Sequence, residues 1–336
     1  MSNKKQKIKT NLNTSKTKEM IIGIICIILL FFGVLKIDDD GNVSFAGFVT
    51  EENIGQNQMN ENIEEKPTNE NVEERLTNEI INGSELQIYF LDVGQADSIF
   101  VYNENESMLI DAGNNPDGKL ICDYLKKLGI TKIDYLVGTH PHEDHIGGLD
   151  DVINSFEIGT LYMPKKSATT KTFEDVLDAI QDNNLKAKSP KIGSVFNVGN
   201  AECKVMTIDD DAEDANLSSI GIEMTFGTQK YLFTGDMEKK NEKDRSWNDI
   251  DVLKVAHHGS STSSCEEFLQ QTKPEFAIIS CGKGNDYGHP HKEVMKSLEE
   301  IDCDVYRTDL LGTILLKSDG IKNKFEFLDV SLDGNE

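Results

Sequence analysis

An apolar, β-branched run, Ile133-Asp134-Tyr135-Leu136-Val137, leads within three residues into His140-Pro141-His142-Glu143-Asp144-His145 and then Gly147-Gly148. The run has the length and composition of a buried strand, so the histidines begin at a strand end. From a loop in that place, His140 and His142 can converge on one cation while Asp144 and His145 reach a second beside it. Two imidazoles plus a carboxylate-imidazole pair suit zinc, manganese or iron, whereas magnesium and calcium favour all-oxygen shells. The two glycines predict a sharp turn into a helix beginning near Leu149. Ligand count, spacing and strand-to-helix context together argue against a polar surface loop that merely contains histidines.

The other four histidines fall in two further clusters, His257-His258 and His289-Pro290-His291. Imidazoles confined to so few places point to one site. The strand-like run Asp251-Val252-Leu253-Lys254-Val255-Ala256 delivers the first pair. Adjacent side chains of an extended strand face opposite ways, so one of the two can bind metal while the other contacts substrate. His257, directly after the run, is favoured as the ligand. His289 sits in a glycine-containing loop after Phe276–Ser280. It can face substrate as an acid, replace His257 as the final ligand, or enter a helix before Pro290. The substrate side is favoured, and His291 reads as a first-turn surface residue.

Asp236 closes the apolar segment Tyr231–Thr234, where a carboxylate can bridge two cations or serve as a turn or N-cap residue. Asp111, after Ser107-Met108-Leu109-Ile110, is expected to stand behind the histidine loop as a hydrogen-bonding carboxylate, or to be an ordinary turn aspartate.

With these motifs in place the chain resembles the metallo-β-lactamase fold superfamily. More narrowly, residues 86–318 are similar to the β-lactamase-like domain of ComEC-type competence proteins and its stand-alone secreted relatives. The matching stretches are Leu91–Ser98, Leu109–Gly113, Thr139–Gly148, Phe233–Asp236, Leu253–Ser261 and Tyr287–Pro290. The resemblance implies an α/β fold, a four-layer αββα sandwich. It also implies two divalent transition metals, zinc or manganese, held by His140, His142, Asp144, His145, Asp236 and His257, with Asp236 bridging. Many superfamily members add a histidine between the first motif and the bridging aspartate, but residues 146–256 contain none. That position falls near Asn216–Ser219, where Asn216 or Ser218 can offer an oxygen or leave the place to water. ComEC-like relatives often lack this histidine too, and the first metal is expected to bind less tightly than the second.

Such a site implies hydrolysis. A hydroxide held between two cations attacks a phosphorus or carbonyl centre while the metals offset the developing charge. Asp144 belongs to this reacting centre, and His258 or His289 is expected to protonate the leaving group. Ser260 and Ser261, with Thr262 and Ser263, precede an expected helix and can cradle phosphate oxygens or act as plain caps.

The rest of the chain bears on location. Residues 1–19 hold six lysines and one glutamate, and an uninterrupted apolar run follows from Met20 to Leu35. Together with Lys36 and Ile37 this is near the lower limit for spanning a bilayer. Basic before and acidic after (Asp38-Asp39-Asp40), it predicts a single N-terminal transmembrane helix over 20–37, a basic cytoplasmic tail over 1–19 and everything else extracytoplasmic. A cleaved signal peptide with secretion is the alternative, its only small-residue cleavage candidate being Ser44-Phe45-Ala46. Residues 38–84 carry twelve acids against Lys66 and Arg75 with almost no aromatic residue. Such a segment is expected to be a disordered linker.

Residues 85–336 suffice for one large hydrolase domain. Strands are expected at 86–92, 97–102, 107–111, 132–138, 157–162, 202–208, 219–226, 229–235, 250–256, 275–281 and 312–317. Helices are expected at 117–128, 148–155, 171–183, 263–271 and 292–300. The five cysteines outside the apolar run have no paired spacing and read as small buried residues, with an extracytoplasmic disulfide as the alternative.

Most of the net charge of −25 falls on this domain. An acidic surface repels polynucleotides, whose affinity comes from basic contacts that release counterions, so nucleic acid finds no support in charge. The expected activity is a membrane-anchored, extracytoplasmic hydrolase of a phosphodiester or similar ester, either nuclease-like or phosphorylcholine-esterase-like. Lactone or β-lactam opening is the enzymatic alternative, and a metal-stabilised binding module without turnover is the other.

Overall fold

The computed structural model describes residues 85–328 and the backbone of 35–37 and 43–45. The latter form a two-stranded antiparallel ladder, β1 (Leu35–Ile37) with β2 (Val43–Phe45). The expected basic tail, nearly all of the expected membrane segment at 20–37 and most of the linker lie outside the described residues. Among the described residues no helix is long and apolar enough to cross a membrane.

From Leu86 onward the chain builds two sheets. One has eight strands: β3 (Leu86–Phe90), β4 (Ile99–Asn103), β5 (Glu106–Ile110), β6 (Lys132–Val137), β7 (Glu157–Tyr162), β8 (Ala187–Lys188), β16 (Thr313–Ser318) and β17 (Asn323–Leu328), in the order β17-β16-β3-β4-β5-β6-β7-β8. The other has seven: β9 (Val195–Val198), β10 (Ala201–Thr207), β11 (Gly221–Phe226), β12 (Gln229–Phe233), β13 (Val252–Lys254), β14 (Phe276–Ile279) and β15 (Asp304–Arg307), in the order β15-β14-β13-β12-β11-β10-β9. The helices are α1 (Gly118–Lys127), α2 (Glu143–Ile146), α3 (Leu149–Ser155), α4 (Lys171–Asp182), α5 (Lys239–Lys243), α6 (Glu266–Thr272), α7 (Lys292–Glu299) and α8 (Thr308–Leu311).

The two-residue period of the strands decides which core each side chain joins. Leu86, Ile88 and Phe90 of β3, Ile99 and Val101 of β4, and Tyr231 and Phe233 of β12 meet in a core between the sheets. Their neighbours Tyr89, Phe100 and Leu109 turn the other way, against Ile121 and Leu125 of α1 and Val152 of α3. Across the second sheet Leu232 and Leu253 pack on Trp247, on Phe268 of α6 and on Leu298 of α7. Helices, sheet, sheet and helices therefore stack with three apolar interfaces, the αββα arrangement the resemblance implies.

Strands covered on both faces read as near-continuous apolar runs, and these the sequence locates within a residue or two. Within residues 85–328 the sequence misses β8, β9, β15 and β17, and the short helices α2, α5 and α8. β9 and β17 lie at sheet edges with alternate residues exposed, such as Lys324 and Glu326, so little apolar signal remains in them. The expected strand at 250–256 stops at Lys254. Gly147 and Gly148 also serve differently from expectation. Neither takes a positive φ; a Cβ on Gly147 would collide with the backbone of Asn114, and one on Gly148 with Gly118. Close approach of chain segments, and not turn geometry, requires glycine there.

The parallel strands position the site. β5, β6 and β7 run parallel in one sheet, and β12, β13, β14 and β15 in the other. Their carboxyl ends deliver Asp111 after β5, Thr139 to His145 after β6, Asp236 after β12, His257 and His258 after β13, and Ser280 after β14. Loops at the carboxyl ends of parallel strands are where open α/β sheets bind ligands.

Candidate metal centre

Asp236 lies at the middle of the converging loops, buried, with its backbone N–H donated to Ser219 Oγ at 3.1 Å. Four histidines direct Nε2 toward its carboxylate. His145 and His258 approach Oδ1 at 3.2 and 3.8 Å. His140 and His257 approach Oδ2 at 3.8 and 3.6 Å. Ligands bound tetrahedrally to one zinc-sized ion stand about 3.4 Å from one another, given bonds of about 2.0–2.1 Å. Asp144 joins the first of these pairs, its Oδ2 standing 3.3 Å from His258 Nε2 and 3.9 Å from His145 Nε2. Asp144, His145, Asp236 and His258 thus offer ligand atoms all within 4.8 Å of one another. On the other side His142 Nδ1 lies 3.0 Å from His140 Nε2.

Buried polar atoms normally find hydrogen-bond partners. Here His145 Nε2, His258 Nε2 and Asp236 Oδ1 are buried without one. Orphaned donors and acceptors of that kind, converging from three strand ends, fit a pair of divalent cations.

Behind the ligand atoms the other ring nitrogens are held. Asp111 takes three hydrogen bonds, each of 2.7 Å: Oδ1 accepts the Thr139 N–H, and Oδ2 accepts the Thr139 hydroxyl and pairs with His145 Nδ1. His140 Nδ1 sits 3.2 Å from Thr139 Oγ1 and 3.4 Å from Ser219 Oγ. The Ser280 carbonyl faces His258 Nδ1 at 3.0 Å, and Thr262 Oγ1 faces His257 Nδ1 at the same distance. Partners of this sort fix ring orientation and tautomer.

Charges in the site set one another. Burial on its own lowers His258, yet the carboxylates of Asp236, Asp97 and Asp144 raise it to about 10. Burial likewise opposes the charged form of His145, but Asp236 and Asp111 hold it well above the ordinary imidazole range. Against burial, which raises it, His145 and His258 hold Asp236 well below the usual carboxylate range. Burial and the neighbouring His145 push His140 down.

The structure treats the two adjacent histidines differently from the strand-alternation argument. β13 ends at Lys254, and His257 and His258 both take left-handed conformations, φ/ψ 52/45 and 52/22. Pleat alternation therefore does not apply to them. The sequence favours His257 as the ligand of the pair and gives His258 to substrate and proton transfer; both turn Nε2 toward Asp236, and His258 also joins the closed group with Asp144, His145 and Asp236. Two consecutive non-glycine residues with positive φ cost about 1–3 kcal/mol each, a strain found where function requires it.

His289 stands off from the ligand atoms. Gln95 Oε1 accepts the Gly282 N–H, which leaves its amide nitrogen to donate to His289 Nδ1 at 3.2 Å. Burial, with the positive His258 nearby, lowers His289 to about 4. At neutral pH it is then uncharged, with Nε2 carrying the proton. Tyr287, 69% exposed, stacks on it at 5.6 Å. With Gln95, His142, Glu143 and Asp144, these residues line an open cleft of about 350 Å³ over the centre.

Ser260 and Ser261 do not reach that cleft. The Ser260 hydroxyl meets Thr262, and the Ser261 N–H donates to His291 Nδ1 at 2.8 Å. α6 begins only at Glu266, so the serines precede it as a hydrogen-bonded turn and offer no helix-end cradle. His291 is tied into this turn. Near the missing-histidine position, the Ser218 hydroxyl donates to the Ala215 carbonyl and Asn216 Oδ1 is buried without a partner, while Ser219 is the residue that contacts His140.

Sequence reasoning assigned no role to Asp97, Lys254, Gln95 and Tyr287, and it placed Thr262 with the phosphate cradle, whereas its hydroxyl meets His257 Nδ1. Lys254 carried a readable signal, a lone charge in an apolar strand, which when buried requires a partner. The cysteines Cys122, Cys203, Cys265, Cys281 and Cys303 are free and buried.

Residues 91–283 match the family model described as the Metallo-beta-lactamase superfamily. The chain is 34% identical over 254 residues to "ComE operon protein 3" of Bacillus subtilis (strain 168), covering 69% of this chain and 33% of that protein. It is 30% identical over 239 residues to "Recombination protein 2" of Haemophilus influenzae, covering 68% and 28% respectively. With "Competence protein ComA" of Neisseria gonorrhoeae the identity is 26% over 237 residues, covering 69% and 32%. The chain spans about a third of the length of these relatives.

Proposed function

Because the chain belongs to the metallo-β-lactamase superfamily, we propose that it is a metal-dependent hydrolase of phosphodiester or related ester substrates, held outside the cytoplasm by a membrane segment at 20–37. The observation that carries this reading is the convergence of buried, partnerless His145 Nε2, His258 Nε2 and Asp236 Oδ1 at the floor of an open cleft. Two bound cations, zinc or manganese, would supply an acidified water and offset the negative charge of the transition state. His140, His142, Asp144, His145, Asp236 and His258 are the residues to hold them. Asp111, Thr139 and Ser280 keep three of the imidazoles oriented for that purpose.

The chain's own part in turnover falls to His289. His258 has Nδ1 committed to the Ser280 carbonyl and Nε2 turned into the carboxylates, so it faces no leaving group. Neutral His289, steadied by Gln95, presents Nε2–H from the cleft wall and can donate a hydrogen bond to a substrate oxygen. Tyr287 beside it offers an exposed ring face to whatever the ester carries.

Resemblance to competence-protein domains keeps DNA among the substrates, while the net charge of −25 opposes it and leaves small or choline-bearing diesters the better fit. The test is a panel on the full chain reconstituted with zinc or manganese: bis-p-nitrophenyl phosphate, p-nitrophenyl phosphorylcholine, single-stranded and duplex DNA, and a lactone. Turnover of either diester supports the reading. Lactone hydrolysis without diester hydrolysis replaces it with carbonyl chemistry, and full metal loading without any turnover replaces it with a binding module.

A further inference from the structure

The seven-stranded sheet ends at β15, which has β14 on one side and, among the described residues, no strand on the other. We propose that this edge and the flank of α7 beside it form a self-complementary surface for a second copy of the chain, with β15 paired antiparallel to its counterpart across a two-fold axis. Such an association needs no part of the metal centre.

The backbone is open for it. The Asp304 N–H donates to the Glu275 carbonyl at 3.0 Å, so the parallel ladder engages Asp304 and Tyr306, and Val305 between them turns its N–H and C=O to the open side. Val305 can exchange both bonds with Val305 of another copy, a register that puts the axis near the middle of the strand. Exposed charge commonly guards a sheet edge against such pairing. β17 presents Lys324 and Glu326 to solvent in this way. β15 carries charge only at its ends, Asp304 and Arg307, and Arg307 is held by Asp309 at 2.6 Å.

The order of charge along the edge selects the partner. A groove of about 700 Å³ lies between α7 and β15. Lys292, Lys296 and Arg307 line one end of it, and Glu299, Asp302 and Asp304 the other. A two-fold axis across the strand sets each end against the opposite end of the second copy, so unlike charges meet. Lys296 is already tied to Glu300. Lys292 and Glu299 are exposed and have no ion-pair partner among the described residues. They lie about 10 Å apart along the helix, and β15 is about 10 Å long. The axis that passes through Val305 therefore also brings Lys292 opposite Glu299 of the second copy. An unrelated extended peptide shares the backbone bonds but not this reversed order of charge.

Apolar side chains on both faces of β15 lack cover. Met295 and Val305 line the groove half-buried. On the face toward the other sheet, Phe327 packs on Tyr306 at 5.5 Å yet is 46% exposed, and Leu310 beyond it is 68% exposed. An apolar centre inside a charged rim is the make-up of a protein interface.

The test is gel filtration with light scattering on the full chain in a mild detergent, over a range of protein concentrations. Wild type should dimerise. Lys292→Glu and Glu299→Lys each place like charges across the axis, and each should raise the concentration of half-association by at least about tenfold. Mixing the two variants, or combining both changes in one chain, restores unlike charges at each contact and should restore the dimer. Both side chains are exposed, so every variant should melt at the wild-type temperature. A wild type that stays monomeric overturns the proposal. Dimers that persist in both single variants, as association through Met20–Leu35 would give, also overturn it, and so do single variants that neither mixing nor combination rescues.

Discussion

Lys254 Nζ lies 2.8 Å from Asp97 Oδ2, and both side chains are fully buried. The pair connects the middle of one sheet to the first loop of the other, because Lys254 ends β13 while Asp97 precedes β4. Asp97 Oδ1 in turn stands 3.4 Å from His258 Nδ1. Burial opposes the charge of Asp97, but Lys254 and His258 hold it well below the usual carboxylate range. The lysine thus offsets part of the negative charge that Asp97, Asp111, Asp144 and Asp236 concentrate around the centre.

Removing one member of such a pair strands the other. Lys254→Met should destabilise the protein by about 3–5 kcal/mol, and adding Asp97→Leu should recover most of it. Urea unfolding of the two single variants and the double variant measures this. Additive losses would mean the two residues do not act as a pair.

Asp236 serves both groups of ligand atoms, whereas His145 serves one. Asp236→Ala should abolish hydrolysis and lower bound metal at both sites; His145→Ala should abolish hydrolysis with the larger metal loss at the tighter site. Metal analysis after gel filtration, alongside the diester assay, reads both effects. Normal turnover with normal metal content in either variant would rule out the ligand assignment.

Asp111 has φ 60, a conformation asparagine tolerates, so Asp111→Asn should keep the backbone. It loses one of the two carboxylate oxygens that receive Thr139 and His145. Metal affinity should fall about 10–100-fold with little change in melting temperature. A large drop in stability at unchanged affinity would make Asp111 a folding residue.

Without metal, His258 is raised from about 6.5 to about 10 by the carboxylates around it. A group raised in the folded state adds stability that is fully present below its unfolded value and lost as pH rises through the folded one. The metal-free protein should therefore lose stability between about pH 6.5 and 10, and the metal-loaded protein should lose less, since metal takes the proton's place. Chemical denaturation across that range, with and without zinc, tests it; parallel curves would contradict it.

If 20–37 is an uncleaved anchor, protease added to intact cells should release a soluble hydrolase fragment by cutting within 38–84. Protein found free in the medium and beginning after Ala46 would show a cleaved signal peptide instead.

Much of this protein follows from local pattern. Near-continuous apolar runs in the buried strands, and ligands spaced in His140-Pro141-His142-Glu143-Asp144-His145, are properties of contiguous residues, so fold class, the two-sided sheets and the first ligand cluster are legible in the chain. Edge strands such as β9 and β17 are less so, because half of their side chains meet water and dilute the apolar signal. What the tertiary structure alone decided is how separate strand ends meet. The strand before His257 stops two residues earlier than its apolar pattern suggests, and left-handed backbone at both histidines turns the pair onto one carboxylate. Ser260 and Ser261 look like a phosphate cradle in sequence, yet they close a turn under His291. Lys254 and Asp97 find each other only when the sheets stack. Local sequence specifies which face a side chain takes within its own element; which atoms share a centre depends on contacts between elements distant in the chain.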